Sequence, residues 1–348
     1  MSPVMNGITV EKKEMERIYF GLAIEAQKQI PFTILNPKKR VIILAGPTGC
    51  GKSAFAMDLA NQMDGEIISA DAMQVYRGMD IGTAKASRED RDKIPHHLLD
   101  IRNINETFNV VDFYYEARHC CQIVNGRDSV PVVVGGSGFY LHSLLYGPPS
   151  GPPSVPELRK QLEDEMHSLG ALAMYERLRQ MDPQYASTIT ANDKQKIIRA
   201  LEIMTLTGKK VSKLSWKTRI KPQGYDFRCW FLHRPRTHLY EMIDERCDKM
   251  LKEGFLEEVV QLEKMGLRDN PTASQAIGYR QALDFLDSQR SNDDYCKFVD
   301  QFKQASRNYA KKQFTWFRRE PLFRWLDLDL HDTEVAIDMI RKDFVEGR

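Results

Sequence analysis

The sequence predicts an α/β fold: a parallel sheet covered by helices, with a separate helical domain inserted into it. Three observations carry this reading. Short apolar runs alternate with helical patterns over the first half of the chain, the rhythm of strand–helix–strand units. The string GPTGCGKS at 46–53 joins one such run to a helix-periodic stretch. After GPPSGPPSVP at 147–156, the clearest break in the chain, the pattern stays helical until residue 227.

In chain order, 1–39 reads as an N-terminal extension, helical or loose. Its Glu11, Glu14, Glu16 and Glu25 among basic residues argue against a transit peptide. VIILA at 41–45 is a buried strand. A glycine-rich turn follows, made of Gly46, Pro47, Thr48, Gly49, Cys50, Gly51, Lys52 and Ser53, and SAFAMDLANQM continues from it as helix. Such a turn aims several backbone N–H groups and the positive end of a helix dipole at one anion. Lys52 adds a charge and Ser53 a hydroxyl ligand for magnesium, so the core is P-loop NTPase-like and the ligand phosphorylated. By the motif alone, ATP and a kinase-like use are the first expectation.

Further strands are expected at 66–69, 97–101 and 130–134. Asp71 follows the first of these, in ISADAMQVYRGMDIGTAK. At the carboxyl end of a strand beside a phosphate loop it is a general base or, equally, a helix-capping or magnesium-binding carboxylate. VVVGGSGFYLHSLLYG at 132–147 repeats the logic: Gly135, Gly136 and Gly138 allow close approach, and Ser137 offers a hydroxyl. His96 and His97 are adjacent on an extended segment and point to opposite sides, which favours structural roles over a shared metal site.

The first part of the core therefore spans 40–149 and the helical insertion 150–222, through ELRKQLEDEMHSL, ALAMYERLRQM and NDKQKIIRALEIMTLTG. The core resumes over 223–348, with a strand at 227–234 (FRCWFLHR), helices over 237–253 and about 294–317, and a last strand at 322–328.

A chain of 348 residues with 42% hydrophobic content can bury a core for two or three domains. Its net charge of +2 means that a nucleic-acid partner must meet a local basic patch. Two such patches are present. Lys194, Lys196, Arg199, Lys209, Lys210, Lys213, Lys217, Arg219 and Lys221 face only Asp193 and Glu202 in sequence, a local net charge of +7. Lys303, Arg307, Lys311, Lys312, Arg318 and Arg319 have no acid among them, and Tyr309, Phe314, Trp316 and Phe317 are interleaved. Lys303, Arg307 and Lys311 share one helix face, so the pattern fits a nucleic-acid track with a steep salt dependence and aromatic planes for an unpaired base.

The cysteines, Cys50, Cys120, Cys121, Cys229, Cys247 and Cys296, show no CxxC or zinc-finger spacing and read as reduced thiols. Cys50, inside an anion-binding turn, is expected to be acidic and oxidant-sensitive. There is no apolar run of bilayer length and no signal-peptide pattern, so a cytoplasmic protein without membrane contact or obligate protein partner is expected.

On seven ordered motifs, GPTGCGKS, EIISADAMQVYRGMDIGTAK, IPHHLLDI, VVVGGSGFYL, NDKQKIIRALEI, QAIGYRQAL and RNYAKKQFTWFR, the chain from about 40 to 328 resembles the tRNA dimethylallyltransferase family. These isopentenyltransferases prenylate the adenosine immediately 3′ of the anticodon. The resemblance implies that the cradle holds the diphosphate of dimethylallyl diphosphate, with Mg²⁺, and that the insertion grips the anticodon stem-loop of a tRNA. It implies that Asp71 accepts a hydrogen bond and then a proton from the adenine amine, and that Gln74 reads the adenine edge. Ser137, where threonine is usual, would lie near the reacting groups and Arg246 near the diphosphate.

By the same matching, the tRNA-contacting residues are Asp71, Ala72, Met73 and Gln74, then Ser137 and Arg159. To these are added Gln195, Lys196, Ile197, Ile198 and Arg199; Gln275, Ala276, Ile277, Gly278, Tyr279 and Arg280; and Lys311, Lys312, Gln313, Phe314, Thr315, Trp316, Phe317 and Arg318. The two basic patches fall on two of these segments. The chain departs from the family pattern at Ala72 (commonly serine), Met242 (commonly arginine) and Lys196 (in place of arginine). It also lacks the Cys/His extension that eukaryotic members often carry, so a bacterial type is expected.

Three alternatives fit less of the chain. A prenyltransferase for free adenine nucleotides needs no helical insertion. A P-loop small-molecule kinase needs an arginine-rich lid or a strand-end aspartate pair. A non-catalytic RNA-binding protein has no use for Lys52, Ser53 and Asp71.

Overall fold

The computed structural model describes residues 39–214 and 224–347, so all but the last residue of the extension over 1–39 and the basic residues Lys217, Arg219 and Lys221 lie outside the described residues. Strands β1 (Arg40–Ala45), β2 (Gly65–Ser69), β3 (His96–His97), β4 (Val130–Gly135), β5 (Asp226–His233) and β6 (Arg324–Asp327) form one sheet in the order β3-β2-β4-β1-β5-β6. Every pairing is parallel. Parallel central strands are covered on both faces, which is why β1 and β2 read as unbroken buried runs instead of alternating ones.

The strand expected over 97–101 lasts two residues. Leu98 (φ 63°) and Asp100 (φ 56°) adopt left-handed backbone, which cannot continue an extended ladder. His97 and His96 hold the structural roles expected of them: His97 Nε2 bonds the buried Glu66 carboxylate at 2.6 Å, and His96 Nδ1 bonds the Ile94 carbonyl at 2.7 Å.

Helices α1 (Lys52–Gln62), α2 (Arg88–Lys93), α3 (Val110–Gly126) and α4 (Gly138–Tyr146) connect the first strands. The start of α3 is set by a capping box, in which Asn109 accepts from the N–H of Asp112 and Asp112 accepts from that of Asn109. The next helices, α5 (Pro156–Leu169), α6 (Ala171–Met181), α7 (Pro183–Ala186) and α8 (Lys194–Thr207), bury a core of their own around Leu162, Met174, Leu178, Ile197 and Leu201. Glu202, wholly buried, accepts from Ser154 Oγ (2.5 Å), the Val155 N–H (2.9 Å) and Arg199 (2.6 Å). The second half of the glycine–proline break is therefore fastened to α8.

The chain returns through α9 (Arg236–Lys252), α10 (Phe255–Lys264), α11 (Tyr279–Leu286), α12 (Asn292–Phe317) and, after β6, α13 (Thr333–Glu346). Helix α12 buries Phe298, Phe302, Ser306, Ala310, Gln313 and Phe317, a single stripe at helical spacing against the core. Asp343 of α13 is buried and accepts from Arg324, from Arg228 (3.3 Å) and from the Trp230 indole (3.2 Å), which clasps the last helix to β5 and β6.

Candidate active site

The turn between β1 and α1 takes its shape from Gly49 and Gly51, at φ 80° and 92°, where a side chain would be strained. It rests on β5. The Cys50 thiol is buried beneath it, 3.6 Å from the Leu232 carbonyl to which it donates, and Arg234 Nε donates to the Cys50 carbonyl at 3.2 Å. This corrects the expectation of a reactive Cys50, because attack by an oxidant needs an exposed thiol.

Lys52 Nζ folds back onto the Pro47 carbonyl at 2.6 Å. Burial holds its ammonium below the ordinary lysine range, Cys50 and Asp71 oppose that shift, and Arg246 adds to it. Arg246 is likewise lowered, first by burial, and donates to Thr48 Oγ1 at 2.7 Å. Two desolvated cations with little countercharge gain from an arriving anion. Among the described residues no group of three His, Cys, Asp or Glu is placed to hold a metal ion. Ser53, exposed at the first turn of α1, is the hydroxyl beside the cradle, and a magnesium ion held by one such group with phosphate oxygens and water is chemically ordinary.

Asp71 stands just past the end of β2. Its Oδ1 accepts from the N–H of Met73 (2.8 Å) and, more weakly, of Gln74 (3.4 Å), which fixes the carboxylate plane. Two cavities meet there. The larger, about 580 Å³, is lined by Lys52, Ser53, Gln74 and Gly136, and the smaller, about 330 Å³, by Ile243, Met250, Ile277, Tyr279 and Phe302. Thr48, Asp71, Thr83, Arg246 and Tyr309 line both. A cavity lined by cationic side chains and a largely apolar chamber thus share one polar wall.

Several expected residues converge on that wall. Ser137 begins α4 without a side-chain capping bond and faces the smaller cavity together with Ala72, Met73, Gln275, Ala276 and Ile277. The Gln74 amide is held at both ends, accepting from Ser69 Oγ (2.8 Å) and donating to the Thr83 carbonyl (3.2 Å). The Tyr309 phenol, in a residue 36% exposed, is pushed above its ordinary range by desolvation where it lines the two cavities, with Asp71 adding to the shift.

Glu258, which no sequence signal marked, accepts from the N–H groups of Asp80 (2.9 Å), Ile81 (2.6 Å) and Gly82 (3.1 Å) and from Tyr279 Oη (2.6 Å). It shapes the loop that carries Thr83. Tyr279, expected at a tRNA surface, is a buried strut of this loop, and Gly278 is buried beside it, whereas Arg280 is exposed.

Other expected contacts are redistributed. Ile197, Ile198 and Phe317 are core side chains with at most 2% exposure, and Phe314 packs against Phe231 and Trp325. One guanidinium nitrogen of Arg307 donates to both oxygens of Asp244 (2.5 and 2.6 Å) and Lys303 pairs with Asp248 (2.6 Å), so the face of Lys303, Arg307 and Lys311 is partly neutralised by α9. On the insertion, Arg199 pairs with Glu202, Lys196 with Asp193, and Arg159 with Glu163 and Gln195. Gln195, Lys311, Lys312, Thr315, Trp316 and Arg318 are exposed, and Trp316 meets Phe139 edge-on at 6.4 Å.

The model of the IPP transferase family matches residues 74–320. A relative named tRNA dimethylallyltransferase, from Protochlamydia amoebophila (strain UWE25), is 64% identical over 341 residues, 98% of this chain and 99% of its own. One of the same name from Chlamydia felis is 48% identical, covering 88% of this chain and 90% of its own. Among solved structures, the full-length tRNA isopentenylpyrophosphate transferase of Bacillus halodurans aligns with a TM-score of 0.65 at 35% identity, over 89% of this chain and 98% of that one. A eukaryotic dimethylallyltransferase acting on tRNA aligns at 0.73 with 29% identity, over 89% and 80%. With a family match over most of its length and a near-complete overlap with a close relative, this chain belongs to the IPP transferase family.

Proposed function

We propose that this protein transfers the dimethylallyl group of dimethylallyl diphosphate to the exocyclic amine of the adenosine 3′ of the anticodon in tRNA, giving isopentenyladenosine and diphosphate. The observation that carries the reading is the meeting of an anion cradle and an apolar chamber at Asp71. The relatives named for this activity support it.

The amine nitrogen attacks the allylic carbon C1, the C1–O bond breaks, and its electron pair leaves on the diphosphate. Backbone N–H groups of the turn, Lys52 and Arg246 meet the charge that builds on the departing oxygen. Mg²⁺, when bound, supplies further neutralisation of the diphosphate, and Ser53 is the residue that would hold it. Asp71 orients the amine and takes its proton as the new N–C bond forms. The chamber lined by Ile243, Met250 and Phe302 shelters the five-carbon chain from water, and the adenine leaves its stack to reach it.

In this reading the core comprises 40–149 and 223–348, and the helical unit over 150–222 grips the anticodon stem-loop. The exposed Lys311, Lys312, Trp316 and Arg318 meet the tRNA. No helix among the described residues is long and apolar enough to cross a membrane, and the cytoplasm is the proposed location. Incubation with labelled dimethylallyl diphosphate, Mg²⁺ and either unmodified tRNA, AMP or ATP tests the function. Label is expected in tRNA; label in AMP but not in tRNA overturns it.

A further inference from the structure

Gln313 lies in the run of α12 that motif matching assigns to tRNA contact, yet its side chain points the other way. It is 4% exposed, its Oε1 accepts from the backbone N–H of Thr48 at 2.8 Å, and its Nε2 donates to the Gly136 carbonyl at 3.0 Å. One amide therefore bridges the phosphate turn after β1 and the glycine turn after β4, two of the loops that line the larger cavity. Room for it exists only because residue 136 is glycine: a Cβ there would stand 2.1 Å from Nε2. Thr48 is held from a second side by Arg246, through its hydroxyl.

We propose that Gln313 is a positioning residue for the donor diphosphate, acting through Thr48, and not a tRNA contact. The inference rests on the reading of the cradle as the diphosphate site. An uncharged amide is the side chain that donates and accepts at this reach. Glutamate keeps an acceptor for the Thr48 N–H but loses the donor to Gly136 and sets a negative charge near the bound anion. Asparagine is one methylene too short to span both loops. Helix α12 then serves both substrates, with Gln313 on its inner side and Lys312 and Trp316 exposed on its outer side.

The test uses the full chain with Gln313→Glu, Gln313→Ala and Gln313→Asn, and Lys312→Ala as the contrast. Pyrophosphate binding with Mg²⁺ is measured by calorimetry, tRNA binding without donor by filter retention, and the donor KM and kcat at saturating tRNA. The Gln313 variants are expected to weaken pyrophosphate about tenfold or more, Gln313→Glu most, and to raise the donor KM in parallel. Their tRNA affinity should stay within about twofold of the parent, and Gln313→Asn decides if Ala or Glu does not fold. Lys312→Ala should do the reverse. Unchanged pyrophosphate affinity in the folded variants, or a loss of tRNA affinity matching that of Lys312→Ala, overturns the assignment. Because pyrophosphate binding is read without prenyl transfer, a failure of the proposed activity in the parent protein shows up separately.

Discussion

Replacing Asp71 with asparagine separates the two jobs that its carboxylate is given. One oxygen accepts from the N–H groups of Met73 and Gln74 and so shapes the turn after β2. An asparagine carbonyl accepts from both, so the turn survives, as does the wall it forms between the two cavities. What disappears is basicity, since the amide nitrogen that replaces the other oxygen cannot take a proton from the adenine amine. A positioned general base contributes about 10²–10⁴ in rate, a barrier increase of roughly 3–5 kcal/mol. Asp71→Ala goes further and strands the two N–H groups, each worth about 1 kcal/mol of local stability. The assay is a rapid-quench single turnover with labelled donor and both substrates saturating, beside tRNA binding by filter retention. Asp71→Asn should bind tRNA within about twofold of the parent and transfer label at least about a hundredfold more slowly. A transfer rate within tenfold of the parent, or tRNA affinity that falls in step with rate, would refute proton removal by Asp71.

Replacing Lys311 and Lys312 together with alanine should weaken tRNA binding and lower its log–log salt slope by roughly two, whereas Arg307→Ala, which breaks the pair with Asp244, should lower the melting temperature and leave the slope alone. Equal slopes in both variants would place the tRNA elsewhere. Donor binding should take up protons in the pH range between the free and the bound pKa of Lys52: burial lowers that pKa in the free protein, a bound diphosphate raises it again, and affinity falls as pH rises between the two. Calorimetry in buffers of differing ionisation enthalpy reads the uptake, and its persistence in Lys52→Met would exclude Lys52 as the source. Asp343→Ala leaves the Trp230 indole without its acceptor and Arg228 with Asp226 alone, and should cost about 2 kcal/mol in urea unfolding; a loss below about 0.5 kcal/mol would show the clasp of α13 to be dispensable.

What the sequence made legible is what a short stretch of chain determines by itself. The turn at Gly46 to Ser53, Asp71 past β2 and Ser137 at the start of α4 each sit in a strand–turn–helix pattern, and the structure assembles all of them around one pair of cavities. Arg246 followed from motif matching alone and is found on Thr48. The expected strand at 97–101 failed on a backbone property, the left-handed residues 98 and 100, that composition does not reveal. The charge count over Lys303 to Arg319 could not see Asp244 and Asp248 on the facing helix, and so overstated the free positive face. Gln313 and Glu258 were beyond reach for the same reason, since their roles are defined by backbone groups that only the tertiary fold brings near. The helices α10, α11 and α13 carried no cue strong enough to be singled out.

The placement of β1 between β4 and β5 also dictates an order of events at the ribosome. β1 pairs with β4 about 90 residues later, but its other edge waits for β5, where Arg40 meets Asp226. Between them the whole helical unit must be synthesised, and its contacts are local and its core its own, so it can fold while the sheet is unfinished. At 5–20 residues per second, β1 keeps an unpaired edge for roughly ten to forty seconds. The nascent chain therefore exposes an apolar strand edge for about half of its synthesis, an aggregation hazard, and full-length protein yield should respond to the supply of chaperones that cover such edges.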